Sequence, residues 1–198
     1  GETSADHGQC EPPALEFVKL SLAQSMSCGL TKDGEVWCWG GSFDGEPNPT
    51  ELGSGVLDFS AGGILCTILA DGELWCDNTY PLKGEIPPGR FVRVETRAEE
   101  ACAQNTEGYV SCWGDATDFH GALPYVKAVD FAVGTMSACL VHASDGHIEC
   151  LGFLSEEHPI PSGRYAAIAG TWGLGYAIRD DGVLVRWGDP TEDINYDD

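Results

Sequence analysis

The chain has 198 residues, with 10 Lys and Arg against 32 Asp and Glu, for a formal charge of −22. That charge argues against partners that need clustered Lys and Arg, which excludes nucleic acid and docking on an anionic membrane surface. Hydrophobic residues at 42% suffice for a core, and no apolar run approaches the ~20 residues of a membrane helix, so no direct membrane insertion is expected.

The first element is a polar N-terminal arm, residues 1–14, which holds Cys10. Its opening GETSADHGQC has no basic, apolar leader, as is compatible with a cleaved mature end. From residue 15 to residue 189 the chain repeats. CGLTKDGEVWCWG begins at Cys28, CTILADGELWCDN at Cys66, CAQNTEGYVSCWG at Cys102 and CLVHASDGHIECLG at Cys139. A fifth segment, YAIRDDGVLVRWG from Tyr176, keeps the frame without the cysteines. An apolar stretch precedes each segment, and a glycine holds a fixed place in each: Gly34, Gly72, Gly108, Gly146 and Gly182. Five units of about 37 residues account for nearly the whole chain, and self-similarity at such a period indicates a repeat architecture. Residues 190–198 form an acidic tail that could close the ring.

No segment has helical periodicity. The units are rich in β-branched and aromatic residues punctuated by Gly, Pro and Asp, which predicts small antiparallel sheets of three or four short strands. The D-G dipeptide, once E-G, marks a hairpin turn. Setting Cys28 opposite Cys38 leaves Lys32-Asp33-Gly34 as the loop, closed by Thr31 and Glu35, with Gly34 at the left-handed position. The second and third units give the same register, and the fourth adds one loop residue. Alternation from the closing pair puts each cysteine pair at a non-hydrogen-bonded site, where side chains are close enough for a disulfide. Four bridges are therefore predicted: Cys28–Cys38, Cys66–Cys76, Cys102–Cys112 and Cys139–Cys150. Reduced cysteines paired in a core are the blander alternative. Zinc has neither a CxxC nor histidines at ligand spacing to support it. Disulfides imply an oxidising compartment, so the expected location is extracellular, cell-surface or periplasmic. In the fifth unit Tyr176 and Arg186 take the cysteine positions, where a cation–π contact could replace the bridge.

Leu30 and Val36 share the cysteine face of the first hairpin, and Trp37 and Trp39 point the other way. Both faces are largely apolar, so each sheet should pack between two neighbours. The expectation is an all-β fold: a closed β-propeller of five short blades.

These segments resemble the repeats of the regulator-of-chromosome-condensation family. SCGLTKDGEVWCWG carries the resemblance most closely, and FAVGTMSACLVHASDGHIEC carries its front half. Gly84-Glu85-Ile86-Pro87 and Gly121-Ala122-Leu123-Pro124 resemble the closing part. The resemblance covers about residues 15–189 and speaks to fold more than to function. It implies a propeller, though family members are mostly seven-bladed. Secreted bacterial members are similar protein-binding platforms, including a β-lactamase inhibitor with short blades. The acidity sets this chain apart from the histone- and DNA-binding nuclear members.

No catalytic constellation, P-loop or dinucleotide fingerprint is present, and neither an enzyme nor a cofactor is expected. His142 and His147 oppose each other across a hairpin loop and could hold a metal, but a solvated hairpin end is the favoured reading, with no metal site. The acidic stretches Phe43-Asp44-Gly45-Glu46 and Asp189–Asp198 lack a dedicated calcium pattern and read as solvated surface. Trp39, Trp113 and Trp187 repeat in register and read as blade packing rather than as sugar platforms. The links between first and second strands carry Met26, Ile64, Leu65, Met136 and Trp172, which either form an apolar partner-binding patch with an acidic rim or plug the core. The expected function is a non-enzymatic secreted binding or assembly module. It would use one propeller face, with the unpaired Cys10 available for an intermolecular bond. Its expected partner is a protein or assembly subunit. The alternatives are a carbohydrate-binding propeller and an inhibitor of a secreted enzyme.

Overall fold

The computed structural model describes residues 7–23, 25–41, 50–77, 86, 88–114, 126–134, 137–152, 159–170 and 174–188. Among these there is no helix, and hence none long and apolar enough to cross a membrane. The strands are β1 (Phe17–Leu22), β2 (Met26–Thr31), β3 (Val36–Gly40), β4 (Thr50–Gly53), β5 (Val56–Ala61), β6 (Leu65–Leu69), β7 (Leu74–Cys76) and β8 (Phe91–Arg97). They continue with β9 (Glu100–Asn105), β10 (Val110–Gly114), β11 (Ala128–Gly134), β12 (Ser137–His142), β13 (Ile148–Gly152), β14 (Tyr165–Gly170), β15 (Leu174–Arg179) and β16 (Leu184–Gly188). They form five antiparallel sheets, in the orders β1-β2-β3-β4, β5-β6-β7, β10-β9-β8, β11-β12-β13 and β14-β15-β16. The five expected blades are these five sheets. By internal contacts the chain divides into two compact units, Gly1–Pro81 with Pro88–Ala98, and Leu82–Pro87 with Glu99–Asp198.

The hairpin register is the one the cysteines dictate. Cys28 pairs with Cys38, Cys66 with Cys76, Cys102 with Cys112 and Cys139 with Cys150 across adjacent strands. All four pairs are disulfides. Their Cα atoms are 4.1 Å apart in the first and 4.0 Å in the others, the close approach of a non-hydrogen-bonded pair. Each turn ends on a glycine with positive φ: 84° at Gly34, 87° at Gly72, 90° at Gly108, 72° at Gly146 and 83° at Gly182. That conformation is cheap only without a Cβ. Tyr176 lies opposite Arg186 as the register requires. The cation–π contact expected between them is not among the described contacts. The fifth hairpin is held by its ladder and by Trp187, which is buried in a cluster with Cys139, Cys150, Tyr165 and Ile168.

The aspartate of the D-G dipeptide also serves the turn. Asp71 Oδ1 accepts from the Glu73 N–H at 2.9 Å, and Asp145 and Asp181 accept from His147 and Val183 N–H at 3.2 Å. The Glu73 N–H, then Arg90, holds the Asp71 carboxyl below its usual value. A side-chain hydrogen bond from Arg179 does the same for Asp181. A folded-state value below the unfolded one adds stability above the unfolded value, which is lost as pH falls through the folded one. These groups are exposed, so the effect is small. A D71N/D181N variant should lose slightly less stability than the parent between about pH 5 and pH 2, measured by urea midpoints.

Blades stack by one rule. The cysteine face of one blade packs on the first strand of the next. Cys28, Leu30, Val36 and Cys38 meet Val56, Phe59 and Ala61. Cys102 and Val110 meet Ala128, Phe131 and Val133. Cys139, Val141, Ile148 and Cys150 meet Tyr165 and Ile168. The first strand is an edge, so alternate N–H groups have no ladder partner. Side chains of the preceding blade supply acceptors. Ser21 Oγ accepts from the Ala61 N–H at 2.8 Å, Asp58 Oδ2 from the Val94 N–H at 2.9 Å, and Asp130 Oδ2 from the Ile168 N–H at 2.8 Å.

Packing at the fifth blade is tight. Gly175 pairs with Trp187, and a Cβ at Gly175 would lie 2.2 Å from the indole ring. Gly175→Ala should push Trp187 out of its cluster and cost about 1–3 kcal/mol. The expected readout is a lower urea midpoint at unchanged m-value.

Candidate partner-binding surface

The first strand of each blade has a fixed pattern, so its columns can be compared. The second position is exposed in all five blades: Val18, Leu57, Val92, Val129 and Ala166. The fourth position is different. Phe59, Val94, Phe131 and Ile168 are all buried, at 0%, 0%, 1% and 8% exposure, whereas Leu20 is 57% exposed. The sixth position repeats the contrast, with Ala61 at 1%, Thr96 and Val133 at 6%, and Leu22 at 61%. Leu20 and Leu22 therefore present an apolar strip, at a column all four other blades bury and at one that the second, third and fourth blades bury. By equivalence with Val94 and Ile168, the Leu20 N–H points out of the sheet edge. Among the described residues no side chain accepts from it.

The N-terminal arm covers part of this face. The Gln9 carbonyl accepts from Trp39 Nε1–H at 3.0 Å and from the Ser27 hydroxyl at 2.9 Å. Phe17 stacks on Trp39 with ring centroids 5.3 Å apart. A groove of about 640 Å³ runs between arm and strand, bordered by Cys10, Pro12, Leu15, Phe17, Leu20 and Leu22. Cys10 is exposed and unbridged. Lys19 also lines the groove, and its Nζ donates to Asp58 Oδ1 at 2.5 Å.

The residues expected to form an apolar patch are placed otherwise. Leu65 belongs to the core cluster between the first two blades, and Met26 packs against it. Ile64 is buried, and its carbonyl accepts from the Thr96 hydroxyl. Met136 and Trp172 lie outside the described residues, as do Phe43-Asp44-Gly45-Glu46 and the tail 190–198. The three described members thus take the core role, because the short link folds back under the first strand of the next blade. Trp39, Trp113 and Trp187 are buried. Reading each repeat in isolation misses Leu20 and Leu22, because the Leu20 column is apolar in all five units. The histidines of the fourth hairpin are not simply solvated: their rings stack with centroids 3.8 Å apart, and His142 Nε2 lies 2.7 Å from Glu149 Oε2.

Residues 25–46, the first hairpin and its exit, match the family described as the regulator of chromosome condensation (RCC1) repeat. No curated protein sequence matches the chain. Among solved structures, the ectodomain of the Physcomitrella patens receptor kinase CR4 is similar at a TM-score of 0.75 and 19% identity, over 89% of this chain and 53% of that one. The CRINKLY WD40 ectodomain of the Arabidopsis thaliana receptor kinase ACR4 is similar at 0.72 and 23%, over 90% and 68%. Prp20p of Saccharomyces cerevisiae, described with its binding to Gsp1p and histones, is similar at 0.67 and 14%, over 87% and 58%. The chain thus spans about half the length of the moss ectodomain. The first hairpin thus matches an RCC1-type repeat by sequence, and the chain shares the propeller fold of these solved structures.

Proposed function

We propose that the chain is a non-enzymatic protein-binding module of an extracellular, cell-surface or periplasmic assembly, with the open face of β1 as its docking surface. The observation that carries this reading is the exposure of Leu20 and Leu22, at a column all four other blades bury and at one that the second, third and fourth blades bury. Such an exposed apolar strip suits a protein partner with an apolar strip of its own and a carboxylate or hydroxyl reaching the Leu20 N–H, as Asp58 and Asp130 reach theirs. The charge of −22 favours a partner with a basic rim. Four disulfides support an oxidising compartment. The similar propeller Prp20p binds proteins.

A sugar-binding reading has weaker support. Trp75 is half exposed beside a groove of about 250 Å³ that also holds Glu73. The aligned positions in the other hairpins are Trp37, Ser111, Glu149 and Val185, so the site does not recur between blades as a lectin's would.

Capture of partners from the native extracellular fraction tests the proposal. Leu20→Asp with Leu22→Asp should abolish capture while the melting temperature stays within a few degrees, because both side chains are exposed. Undiminished capture by that variant would sink the surface. Cys10 gives a separate expectation. Non-reducing electrophoresis of native material should show a higher-mass band that reductant or Cys10→Ser removes. A monomer with one alkylatable thiol rules out the tether and leaves the face untouched.

A further inference from the structure

We infer that the tip of the fourth hairpin is a site for a borderline divalent metal ion of the Zn²⁺, Ni²⁺ or Cu²⁺ class, held by His142, His147 and Glu149. His142 and His147 close the loop between β12 and β13, with the His142 N–H donating to the His147 carbonyl. Glu149 lies two residues on from His147, hence on the same face of the hairpin. The three side chains converge, and their ligand atoms all lie within 4.8 Å of one another. Two imidazoles and a carboxylate are the donor set that this class of metal prefers over the all-oxygen cages of calcium and magnesium.

The two imidazoles stack with centroids 3.8 Å apart, so binding requires the exposed His147 ring to turn until both lone pairs meet one ion, while the surrounding carboxylates are already in place. His147 Nδ1 is 2.6 Å from Asp145 Oδ1. A carboxylate holding one ring nitrogen fixes the tautomer and leaves Nε2 as the donor to a metal, the usual outer-shell arrangement of ligating histidines. His142 Nε2 and Glu149 Oε2 lie 2.7 Å apart, so one ion could take both atoms as ligands. His142 is largely buried, with a side-chain exposure of 12%, while His147 at 49% leaves the ion an entry path and a water an open position. The neighbouring Lys127 does not compete, since its Nζ lies over the Tyr109 ring at 5.2 Å.

Calorimetric titration of the oxidised full chain with zinc chloride tests the site. Cys10 is alkylated beforehand and millimolar magnesium is present, so that the thiol and the surface carboxylates do not report. The expected result is one zinc bound per chain. His147→Gln and Glu149→Gln should each weaken it by about tenfold or more, and Asp145→Asn by about tenfold through the His147 orientation. Zinc should also shift the ring resonances of both His142 and His147 and of no other histidine. Since His147 and Asp145 are exposed, these variants keep the fold even if His142→Ala does not. No zinc uptake, or uptake unchanged in His147→Gln with Glu149→Gln, overturns the inference.

Discussion

Full reduction of the four disulfides should unfold the protein at neutral pH. Each bridge closes a hairpin loop, with a sequence separation of 10 in three blades and 11 in the fourth. In the chain-entropy model such a loop contributes about 2.8 kcal/mol, and four loops about 11 kcal/mol. Whole domains are stable by only about 5–15 kcal/mol, so losing all four brings the folded state to the margin. The bridges lie in separate hairpins, so their effects should add. Removing one, by Cys66→Ala with Cys76→Ala, should lower the melting temperature by about 5–10 °C. Cys10→Ser should leave it unchanged. A reduced chain that still melts cooperatively within a few degrees of the oxidised one would show that the bridges only decorate a fold held by its blades.

The blades are legible in the sequence because the repeat states each turn twice. Cysteine register and glycine position each locate the turn, and both point to the same residue in four hairpins. Where they agree, the strand pairing is over-determined, and β2–β3, β6–β7, β9–β10 and β12–β13 pair as expected. The fifth hairpin follows from the frame alone. The shift at the start of the first strand is not legible. It occurs between Phe17 and Lys19, Val56 and Asp58, Ala128 and Asp130, and Tyr165 and Ala167. A bulge leaves no residue signature there, since the glycine that marks some bulges is absent. It matters, because it sets which side chains of the first strand face the preceding blade and which face the following one.

The exposed strip of Leu20 and Leu22 is hidden for a related reason. A column of Leu20, Phe59, Val94, Phe131 and Ile168 reads as core in every unit, and sequence does not say which member is exposed. Burial supplies that, and the answer is Leu20. Of the two readings of the apolar links, the described residues take the core one. Ile64 ends a link only three residues long between β5 and β6, Gly62 to Ile64, and Leu65 opens the next strand. So short a link cannot carry its side chains away from the core. Glu149 is within reach of the sequence. Strand alternation places it on the face of His147, but a pattern of paired histidines alone does not include it.

Asp58 should be worth more than the ion pair it forms. Its Oδ1 accepts from Lys19 and its Oδ2 from the Val94 N–H, and the side chain is 10% exposed. The Lys19 side chain is 34% exposed, so its ammonium regains water when the partner is lost and the pair itself contributes little. The Val94 N–H has no such recourse, because Val94 is fully buried. Asp58→Ala leaves that donor unsatisfied, which costs about 1–3 kcal/mol, and vacates space between two blades besides. Asp58→Asn keeps one carbonyl oxygen for the Val94 N–H and should cost about 1 kcal/mol. Lys19→Ala should cost less than about 1 kcal/mol. The Asp130 carboxylate likewise accepts from the Ile168 N–H, so Asp130→Ala should also cost about 1–3 kcal/mol, with Arg93 standing at the place of Lys19 in the preceding blade. Urea midpoints at constant m-value give the order directly. If Lys19→Ala proves as damaging as Asp58→Ala, the charge pair holds the first two blades together. If it does not, the acceptor for the edge-strand N–H is the device that joins one blade to the next.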